Sequence, residues 1–436
     1  MDVVVASLLT AKLLSDSAAM SKDETHFLTV ACPLLPQSNA LTIGRYILTL
    51  SMAKSRSEVA RMLTEKGIAT MTTFTRRDYL QGALAMMAAG VAPPASDTRT
   101  PLRHREEGNR SGIKLALVLG GDREARIKLA QQIGIRHLIV SVEGDLKKVG
   151  RDHYEETLAK IKADYNAAGM TIAGVESHPV PAEKIKLGLP GRDEEIENYC
   201  AAVEALGKIG VPMVCYNFMA GIGWYRTNTS VPTRGGALAS EFDYPTSEKE
   251  GLTEWGKVSE DQIWRNLESF QKAVIPVAEK AHVQMALHPD DPPISPLRGI
   301  GRILTSAANY RRVLDIVPSP ANGITFCQAN FKLMGENIEA LAREWCTQKK
   351  IFFVHFRDVE GTREHFVETF HDDGPTDMAR MLRAYHESGF NGPMRPDHAP
   401  TMEGEANENP GYAIIGKLFA IGYIKGIMDG LNIPYA

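Results

Sequence analysis

The stretch IFFVHF (351–356) is apolar except for His355, the fifth of its six residues. Short runs rich in branched and aromatic residues are typical of strands buried on both faces, as in parallel sheets. The stretch therefore predicts a parallel strand with a histidine near its carboxyl end. Three other runs also consist of a short, mainly apolar stretch that ends in a polar residue: VQMALH (283–288), GITFC (323–327) and GPMRPD (392–397).

The polar residues at these four strand ends are His288, Cys327, His355 and Asp397. Taken singly, each has an ordinary structural explanation, such as a hydrogen-bonded histidine, a buried thiol or a helix cap. Together, two imidazoles, a thiolate and a carboxylate form a ligand set for a divalent metal. Because the carboxyl ends of neighbouring strands converge on one rim of a parallel barrel, we predict one metal site there. Ligand chemistry alone leaves manganese(II), iron(II), cobalt(II) and zinc(II) open.

The same alternation of strand and helix extends upstream. Segments of helical period separate the apolar runs, and several end in glycine, a common helix terminator. Eight repeats of a strand followed by a helix predict an α/β fold, the (β/α)8 or TIM barrel. The four upstream strand candidates are KLALVLG (114–120), HLIVSV (137–142), TIAGVE (171–176) and PMVCY (212–216).

The composition excludes several classes of protein. Of the 436 residues, 44% are hydrophobic, which is enough for a sizeable core. A net charge of -4 gives no general reason to bind nucleic acid or an anionic membrane, so a small-molecule substrate is expected. The five cysteines contain no CxxC pair and are too scattered for a disulfide framework. No apolar run reaches the roughly eighteen residues of a membrane-spanning helix, so no stable membrane insertion is expected.

The residues before the barrel pattern carry a second kind of signal. Adjacent Arg76 and Arg77 are followed by an apolar stretch and then by small residues and prolines, which resembles a twin-arginine export signal. The alternative is a surface helix with two arginines. Export would make the protein periplasmic, and otherwise it is cytoplasmic. An export signal normally lies at the N-terminus of a chain. One explanation for its position here is that Met1 is a mis-assigned start. We divide the chain into an uncertain and poorly ordered extension (1–70), the signal (71–96), a linker (97–112) and the barrel (113–436).

One connection is much longer than the others. Residues 217–259 separate the fourth strand from the next helical pattern, and so long a segment on the carboxyl side of a barrel is commonly a substrate-covering lid. We expect Trp224 and Arg226 from this segment to contact substrate, together with Tyr216 and Asn217 at the end of the fourth strand. The alternatives are an insertion without a role for the segment and turn formation for Asn217.

Read together, eight short motifs resemble the mannonate dehydratases of sugar-acid degradation, which belong to the xylose isomerase-like TIM barrels. The similarity covers nearly all of the chain after Ile113. The motifs are ESHPV (176–180), CYNFM (215–219), WYRT (224–227), HPDDPP (288–293), SPANGITFC (319–327), FVHFRDV (353–359), RPDH (395–398) and PGY (410–412).

The resemblance implies a metal and two proton-transfer residues. The family's manganese(II) or iron(II) is held by a His, Cys, His, Asp set that maps onto the four strand-end residues. Its acid–base pair maps onto His398 and Tyr412, and the sequence does not assign which is acid and which is base. The alternatives are that His398 orients Asp397 and that Tyr412 is a packed ring at a helix start.

Three arginines are candidates for holding the substrate carboxylate or hydroxyls, because a guanidinium binds a carboxylate at two points. They are Arg226, Arg357 and Arg395, and each has an ion-pair role as its alternative. The chain also departs from the family pattern near the substrate. Gly223 stands where an acidic residue is usual before the tryptophan, and Ala399 and Pro400 follow the catalytic histidine in place of glycine and arginine.

The expected function is metal-dependent dehydration of a sugar acid, with D-mannonate giving 2-keto-3-deoxy-D-gluconate in hexuronate degradation. This reaction removes a weakly acidic proton beside a carboxylate, and a metal bound to that carboxylate assists the removal. A sugar isomerase or epimerase of the same barrels is the first alternative. An exported sugar-acid binding protein without catalysis is the second. The partner is a small sugar acid and no nucleic acid, and a homo-oligomer is left open.

Overall fold

Eight parallel strands close into a barrel in the computed structural model of the chain, which describes residues 112–118 and 123–436. They follow one another around the barrel in chain order, and the last pairs with the first through Pro393 and Lys114. Each lies where an apolar run predicts it, so the (β/α)8 barrel is confirmed. The strands of the described residues are β1 (Lys114–Val118), β2 (His137–Val140), β3 (Thr171–Glu176), β4 (Met213–Asn217), β5 (Asn228–Pro232), β6 (Leu238–Asp243), β7 (Gln284–His288), β8 (Asn322–Cys327), β9 (Ile351–Phe356), β10 (Val359–Gly361), β11 (His365–Glu368) and β12 (Pro393–Pro396). The barrel consists of β1 to β4, β7 to β9 and β12.

Helices connect the barrel strands and pack against their outer faces. Two of the predicted helix ends are marked by Gly134 and Gly169, both with φ of 70°, a conformation that other residues rarely adopt. The helices of the described residues are α1 (Arg123–Gln132), α2 (Glu143–Leu146), α3 (Tyr154–Ala167), α4 (Glu183–Leu187), α5 (Arg192–Lys208), α6 (Tyr244–Lys249), α7 (Glu260–Lys280), α8 (Ala307–Ile316), α9 (Gln328–Leu333), α10 (Ile338–Thr347), α11 (Met378–Glu387) and α12 (Ile414–Gly430).

The core has two layers because successive strand residues point to opposite faces. In β4, Met213 and Cys215 join a small apolar cluster inside the barrel. Val214 and Tyr216 join the large cluster between the strands and the helices. The alternation decides which side chains of a strand can reach the inner rim.

A second sheet is built from two insertions in the barrel. Its four antiparallel strands run in the order β10, β11, β6, β5. Phe242 of β6 pairs with Phe366 of β11, and their rings lie 5.7 Å apart. The segment 217–259, expected as a long loop, therefore contains two strands and α6, and the hairpin after β9 completes their sheet. Cross-strand aromatic contacts of this kind stabilise a sheet made of short strands. The lid role of the segment stays a prediction.

Most of the N-terminal predictions fall outside the described residues. Residues 1–111 include the extension, the export signal and nearly all of the linker, so these stay predictions. Of the helices in the described part of the chain, none combines the length and the apolar character needed to cross a lipid bilayer.

Candidate active site

The four predicted metal ligands lie at the carboxyl end of the barrel. His288 and Cys327 are the last residues of β7 and β8, His355 is the last but one of β9, and Asp397 directly follows β12. These four strands are neighbours in the barrel. The fold therefore brings the four side chains together at one rim.

The distances between their donor atoms are compatible with a single ion. His288 Nε2 lies 3.2 Å from His355 Nδ1, and the donor atoms of His288, Cys327 and His355 all lie within 4.8 Å of one another. Asp397 Oδ2 lies 3.6 Å from His355 Nδ1 and 4.0 Å from the sulfur of Cys327. Ligands bonded at about 2.0–2.3 Å to one ion are separated by distances of this order. The donor set and its spacing thus fit a divalent transition metal.

The protonation states suit metal binding at neutral pH. Burial, followed by the neighbouring His355, lowers the pKa of His288 to about 3. Burial and then Arg395 lower the pKa of His355 as well, so both imidazoles are neutral and offer a lone pair. Burial raises the pKa of Cys327 to about 12, so without a metal the thiol keeps its proton. A bound cation reverses this preference because it stabilises the thiolate directly.

Asp397 is fixed in place by two arginines. Arg357 donates to one carboxylate oxygen and Arg395 to the other, each at 2.7 Å. Burial opposes ionisation of Asp397, but Arg395 and the two nearby histidines outweigh it and hold the pKa well below its usual range. Arg395 also donates to Glu176 at 2.9 Å, and Glu176 lies 3.4 Å from the second ring nitrogen of His355. A carboxylate in this position orients a metal-binding imidazole.

Two buried arginines, Arg226 and Arg357, pair with the same two carboxylates, those of Asp291 and Glu368. Arg357 donates to Glu368 at 2.7 Å and to Asp291 at 2.8 Å. Arg226 donates to Asp291 at 2.6 Å and also pairs with Glu368. The ion-pair alternative is therefore what the structure shows for Arg226, Arg357 and Arg395. Direct contact with substrate stays a prediction for all three.

A histidine and a tyrosine form a hydrogen-bonded pair beside this network. His398 Nε2 lies 3.1 Å from the Tyr412 hydroxyl, and His398 Nδ1 lies 3.1 Å from a carboxylate oxygen of Glu368. An ionised carboxylate can only accept, so Nδ1 carries the proton and Nε2 accepts from the tyrosine. The ring of Trp224 packs edge-on against His398 at 5.3 Å. The pair is thus held in one orientation next to Asp397.

The comparisons with known proteins agree with this geometry. A family model of D-mannonate dehydratase (UxuA) matches residues 119–255 and 246–435. Mannonate dehydratase 2 of Halalkalibacterium halodurans is 34% identical over 340 residues, which is 72% of this chain and 97% of that protein. The chain belongs to the mannonate dehydratase family. The resemblance inferred from the sequence motifs is confirmed.

Further mannonate dehydratases match over most of the barrel. That of Thermotoga maritima is 35% identical over 312 residues, which is 64% of this chain and 86% of that protein. The crystal structure of mannonate dehydratase from Streptococcus suis serotype 2 superposes with a TM-score of 0.66 at 29% identity, covering 74% of this chain and 95% of that one. The similarity thus spans the whole strand-and-helix pattern that carries the site.

Two residues predicted to contact substrate in this mannonate dehydratase family member have other partners in the structure, and substrate contact by Asn217 stays a prediction. Tyr216 is fully buried on the outer face of β4, where its hydroxyl accepts a hydrogen bond from Gln271 of α7 at 2.9 Å. The structure therefore does not bring Tyr216 to the rim. Asn217 accepts a hydrogen bond from the backbone N–H of Met219 at 3.2 Å, which is the turn-forming role.

Sequence reasoning missed two acidic residues of the mannonate dehydratase site, Asp291 and Glu368. Asp291 lies inside the motif HPDDPP, where nothing in the sequence separates it from Asp290. Glu368 ends β11, a short strand with a weak apolar pattern. The sequence offered one indication of them, the number of arginines predicted at the rim, because several buried arginines require several carboxylates as partners.

Replacing Glu368 with glutamine should destabilise the metal-free protein at neutral pH and much less in acid. Burial favours the neutral acid, but Arg357, Arg226 and His398 outweigh it and lower the pKa of Glu368 to about 2. In the unfolded chain a glutamate ionises near pH ~4.3, so the stabilisation is complete above that pH and is lost as the pH falls towards 2. We expect the variant to lose about 3 kcal/mol or more at pH 6.

Urea unfolding of both proteins at pH 6 and pH 3 measures this difference. The gap in free energy of unfolding between wild type and Glu368→Gln should narrow at pH 3. Glu364→Gln is the control, because Glu364 is exposed in the turn before β11, and its gap should stay within about 0.5 kcal/mol at both pH values. A gap for Glu368→Gln that is equally large at pH 3 would contradict the argument.

Proposed function

We propose that the chain is a metal-dependent hydro-lyase that removes water from D-mannonate to give 2-keto-3-deoxy-D-gluconate. The observation that carries the proposal is the meeting of four metal-type donors with the His398–Tyr412 pair at one rim of the barrel. Membership of the mannonate dehydratase family supports the reaction class. The two relatives and the solved structure described above carry the same name.

The proposed cofactor is manganese(II) or iron(II), held by His288, Cys327, His355 and Asp397. When bound, such an ion would attract electrons from the substrate carboxylate and make the proton on carbon 2 more acidic. The chain itself contributes two neutral imidazoles and one carboxylate already held ionised by arginines. These groups need little rearrangement to bind a cation.

The proton transfers follow from the resting hydrogen bonds. With Nδ1 protonated against Glu368, His398 offers Nε2 as the acceptor for the proton on carbon 2. Burial of its hydroxyl, followed by Asp397, raises the pKa of Tyr412, so the phenol begins protonated and is the donor to the leaving hydroxyl on carbon 3. Water departs and leaves the enol of the product, and the proton on His398 then passes to the Tyr412 phenolate along the 3.1 Å contact. The enol becomes the 2-keto-3-deoxy acid when it loses the proton of its carbon 2 hydroxyl and carbon 3 gains one. Both residues return to their starting states.

The two alternative functions are not favoured by the comparisons. An isomerase or epimerase would also remove the proton on carbon 2 but would return it without expelling hydroxide. A binding protein without catalysis would have no use for a proton donor and acceptor in contact. Gly223, Ala399 and Pro400 border the substrate region, so other aldonic acids belong in any assay. The export signal stays a prediction about location and does not bear on the reaction.

An assay with defined metals tests the proposal. The purified full chain is stripped with a chelator, reloaded with manganese(II) or with iron(II) under anaerobic conditions, and incubated with D-mannonate and a panel of epimeric aldonic acids. We expect a 2-keto-3-deoxy acid from D-mannonate, no product after stripping, and recovery on reloading.

Two results would count against dehydration. Absence of a keto-deoxy product from every acid with either metal would reject it. Exchange of the carbon 2 proton with solvent deuterium, with sugar recovered and no water lost, would favour the isomerase.

A further inference from the structure

Arg302 is a buried residue of the loop that follows β7. It is 1% exposed and is among the largest fully buried side chains of the described residues. It donates to Asp290 at 2.9 Å, and Asp290 also accepts a hydrogen bond from the backbone N–H of Leu304 at 2.8 Å. A buried guanidinium needs a carboxylate partner, so this ion pair alone would be an ordinary structural feature. A second nitrogen of Arg302 reaches a different part of the chain.

That second nitrogen binds the backbone just before a tryptophan of the site. It donates to the carbonyl oxygens of Ile222 and Gly223, at 2.5 Å and 3.2 Å. Both residues belong to the connection between β4 and β5, residues 218–227, which we call the Trp224 loop. In the described part of the chain, no other donor reaches either carbonyl. Because glycine has no side chain to restrict its backbone, the contact with Arg302 fixes the loop at this point.

The rest of the Trp224 loop is held by other groups. On one side, the backbone N–H of Gly221 donates to the carboxylate of Glu183 in α4 at 2.6 Å. On the other side, the backbone N–H of Tyr225 donates to the carbonyl oxygen of Asp291 at 3.3 Å. Arg302 therefore supplies the anchor for the two residues between these points that directly precede the tryptophan.

Trp224 itself lies between the proton-transfer pair and the charge network. The centroid of its ring is 5.3 Å from that of His398, and the guanidinium carbon of Arg226 lies 4.9 Å from the ring centroid. Its indole N–H is buried and has no acceptor among the described residues. A buried donor without an acceptor is costly unless a ligand supplies one. The hydroxyls of a sugar acid bound beside His398 are acceptors of this kind.

We propose that Arg302 is a positioning residue that holds the indole of Trp224 against His398, where its N–H binds a hydroxyl of the substrate. The proposal rests on the proposed function, in which His398 accepts the proton on carbon 2. Asp290 orients the guanidinium, and the two carbonyls transmit that orientation to the tryptophan. Without Arg302 the loop would sample other positions, and the substrate would have to order it on binding. The apparent affinity for substrate falls by the fraction of molecules with the competent loop, so the loss should appear mainly in KM.

The test variant removes the guanidinium without leaving a buried charge unpaired, because an unpaired Asp290 could unfold the protein. It combines Arg302→Met with Asp290→Asn, in which the asparagine still offers an oxygen to the N–H of Leu304. Backbone hydrogen–deuterium exchange of the manganese-loaded full chain, without substrate, is followed by mass spectrometry. We expect peptides of the Trp224 loop to exchange about ten-fold faster or more in this paired variant, and peptides of β8 and β9 to be unchanged.

Kinetics with D-mannonate test whether Arg302 acts through Trp224. In the paired variant, kcat/KM should fall about ten-fold, mostly through a higher KM. Trp224→Phe keeps a ring but loses the indole N–H, and should lower kcat/KM by about five- to ten-fold. If both changes affect the same contact, their effects do not multiply. Adding Trp224→Phe to the paired variant should then lower kcat/KM by less than about three-fold more.

A second arginine–carboxylate pair provides the matched control. Arg311 of α8 donates to both carboxylate oxygens of Glu344 in α10, at 2.9 Å and 3.1 Å, on the outside of the barrel. Arg311→Met with Glu344→Gln should leave exchange in the Trp224 loop unchanged and kcat/KM within about two-fold of wild type. Thermal unfolding of every variant checks that it is folded.

The outcomes separate this role from a purely structural one. Unchanged exchange of the Trp224 loop in the folded paired variant would mean that Arg302 stabilises only its own loop. Losses that multiply when Trp224→Phe is added would show that Arg302 does not act through the tryptophan. A fall confined to kcat would reject ordering of the loop for substrate. Because the exchange measurement needs no substrate, a failed dehydration assay would reject the proposed function without deciding whether Arg302 orders the loop.

Discussion

Replacing Cys327 with serine should remove the metal and, with it, the activity. A thiolate is both charged and polarisable, whereas a serine hydroxyl is a neutral and weak ligand for a transition metal. His288, His355 and Asp397 would remain, but the ion would lose the one ligand whose negative charge appears only on binding. We expect metal content to fall from about one ion per chain to a small fraction, and kcat/KM to fall on the order of 10³-fold.

Metal analysis after gel filtration, together with the dehydration assay, measures both effects. Cys346→Ser is the control, because Cys346 is also buried but lies on α10 on the outside of the barrel. It should keep its metal and its activity even if it loses stability. Full metal content in Cys327→Ser would show that the ion is held elsewhere.

The residues at the strand ends could be predicted from the sequence because the strands of a parallel barrel follow a recognisable pattern. Each barrel strand is an apolar run, and the residue that leaves its carboxyl end must face the rim or the loop above it. His288 and Cys327 could be placed in this way without any knowledge of long-range contacts. The family motifs then added His398 and Tyr412, which no strand pattern identifies.

The direction of a side chain within a strand could not be read in the same way. When both faces of a strand are buried, inner and outer residues are equally apolar, so PMVCY gives no alternation to follow. Tyr216 was therefore expected at the rim, although Cys215 faces the inside of the barrel and Tyr216 faces α7. A polar residue at another inward-facing position of the strand would have shown which of its side chains point into the barrel.

The second sheet and the charge network depend on contacts between distant parts of the chain. The strand β10 is the three-residue segment VEG, and β5 is the polar segment NTSVP, so neither segment has the apolar pattern of a strand. The two insertions are joined by the pairing of β11 with β6. Glu368 enters the site through that sheet.

Replacing Tyr412 with phenylalanine should stop dehydration while leaving substrate binding nearly intact. The ring and its contact with Lys417 are retained, and only the hydroxyl that bonds His398 is lost. If Tyr412 is the proton donor to the leaving hydroxyl, kcat should fall on the order of 10³-fold with KM changed by less than about three-fold. The loss of one hydrogen bond should cost about 1 kcal/mol of stability, too little to unfold the barrel.

The fate of the proton on carbon 2 separates the roles of the two residues. In deuterated water, Tyr412→Phe should still exchange that proton with solvent, because His398 keeps its Nε2 acceptor and its Nδ1 partner Glu368. His398→Asn should lose both exchange and dehydration. Loss of exchange in Tyr412→Phe, with exchange retained in His398→Asn, would reverse the assignment and make the tyrosine the base. Since neither outcome depends on how fast water leaves, exchange reports the first proton transfer alone.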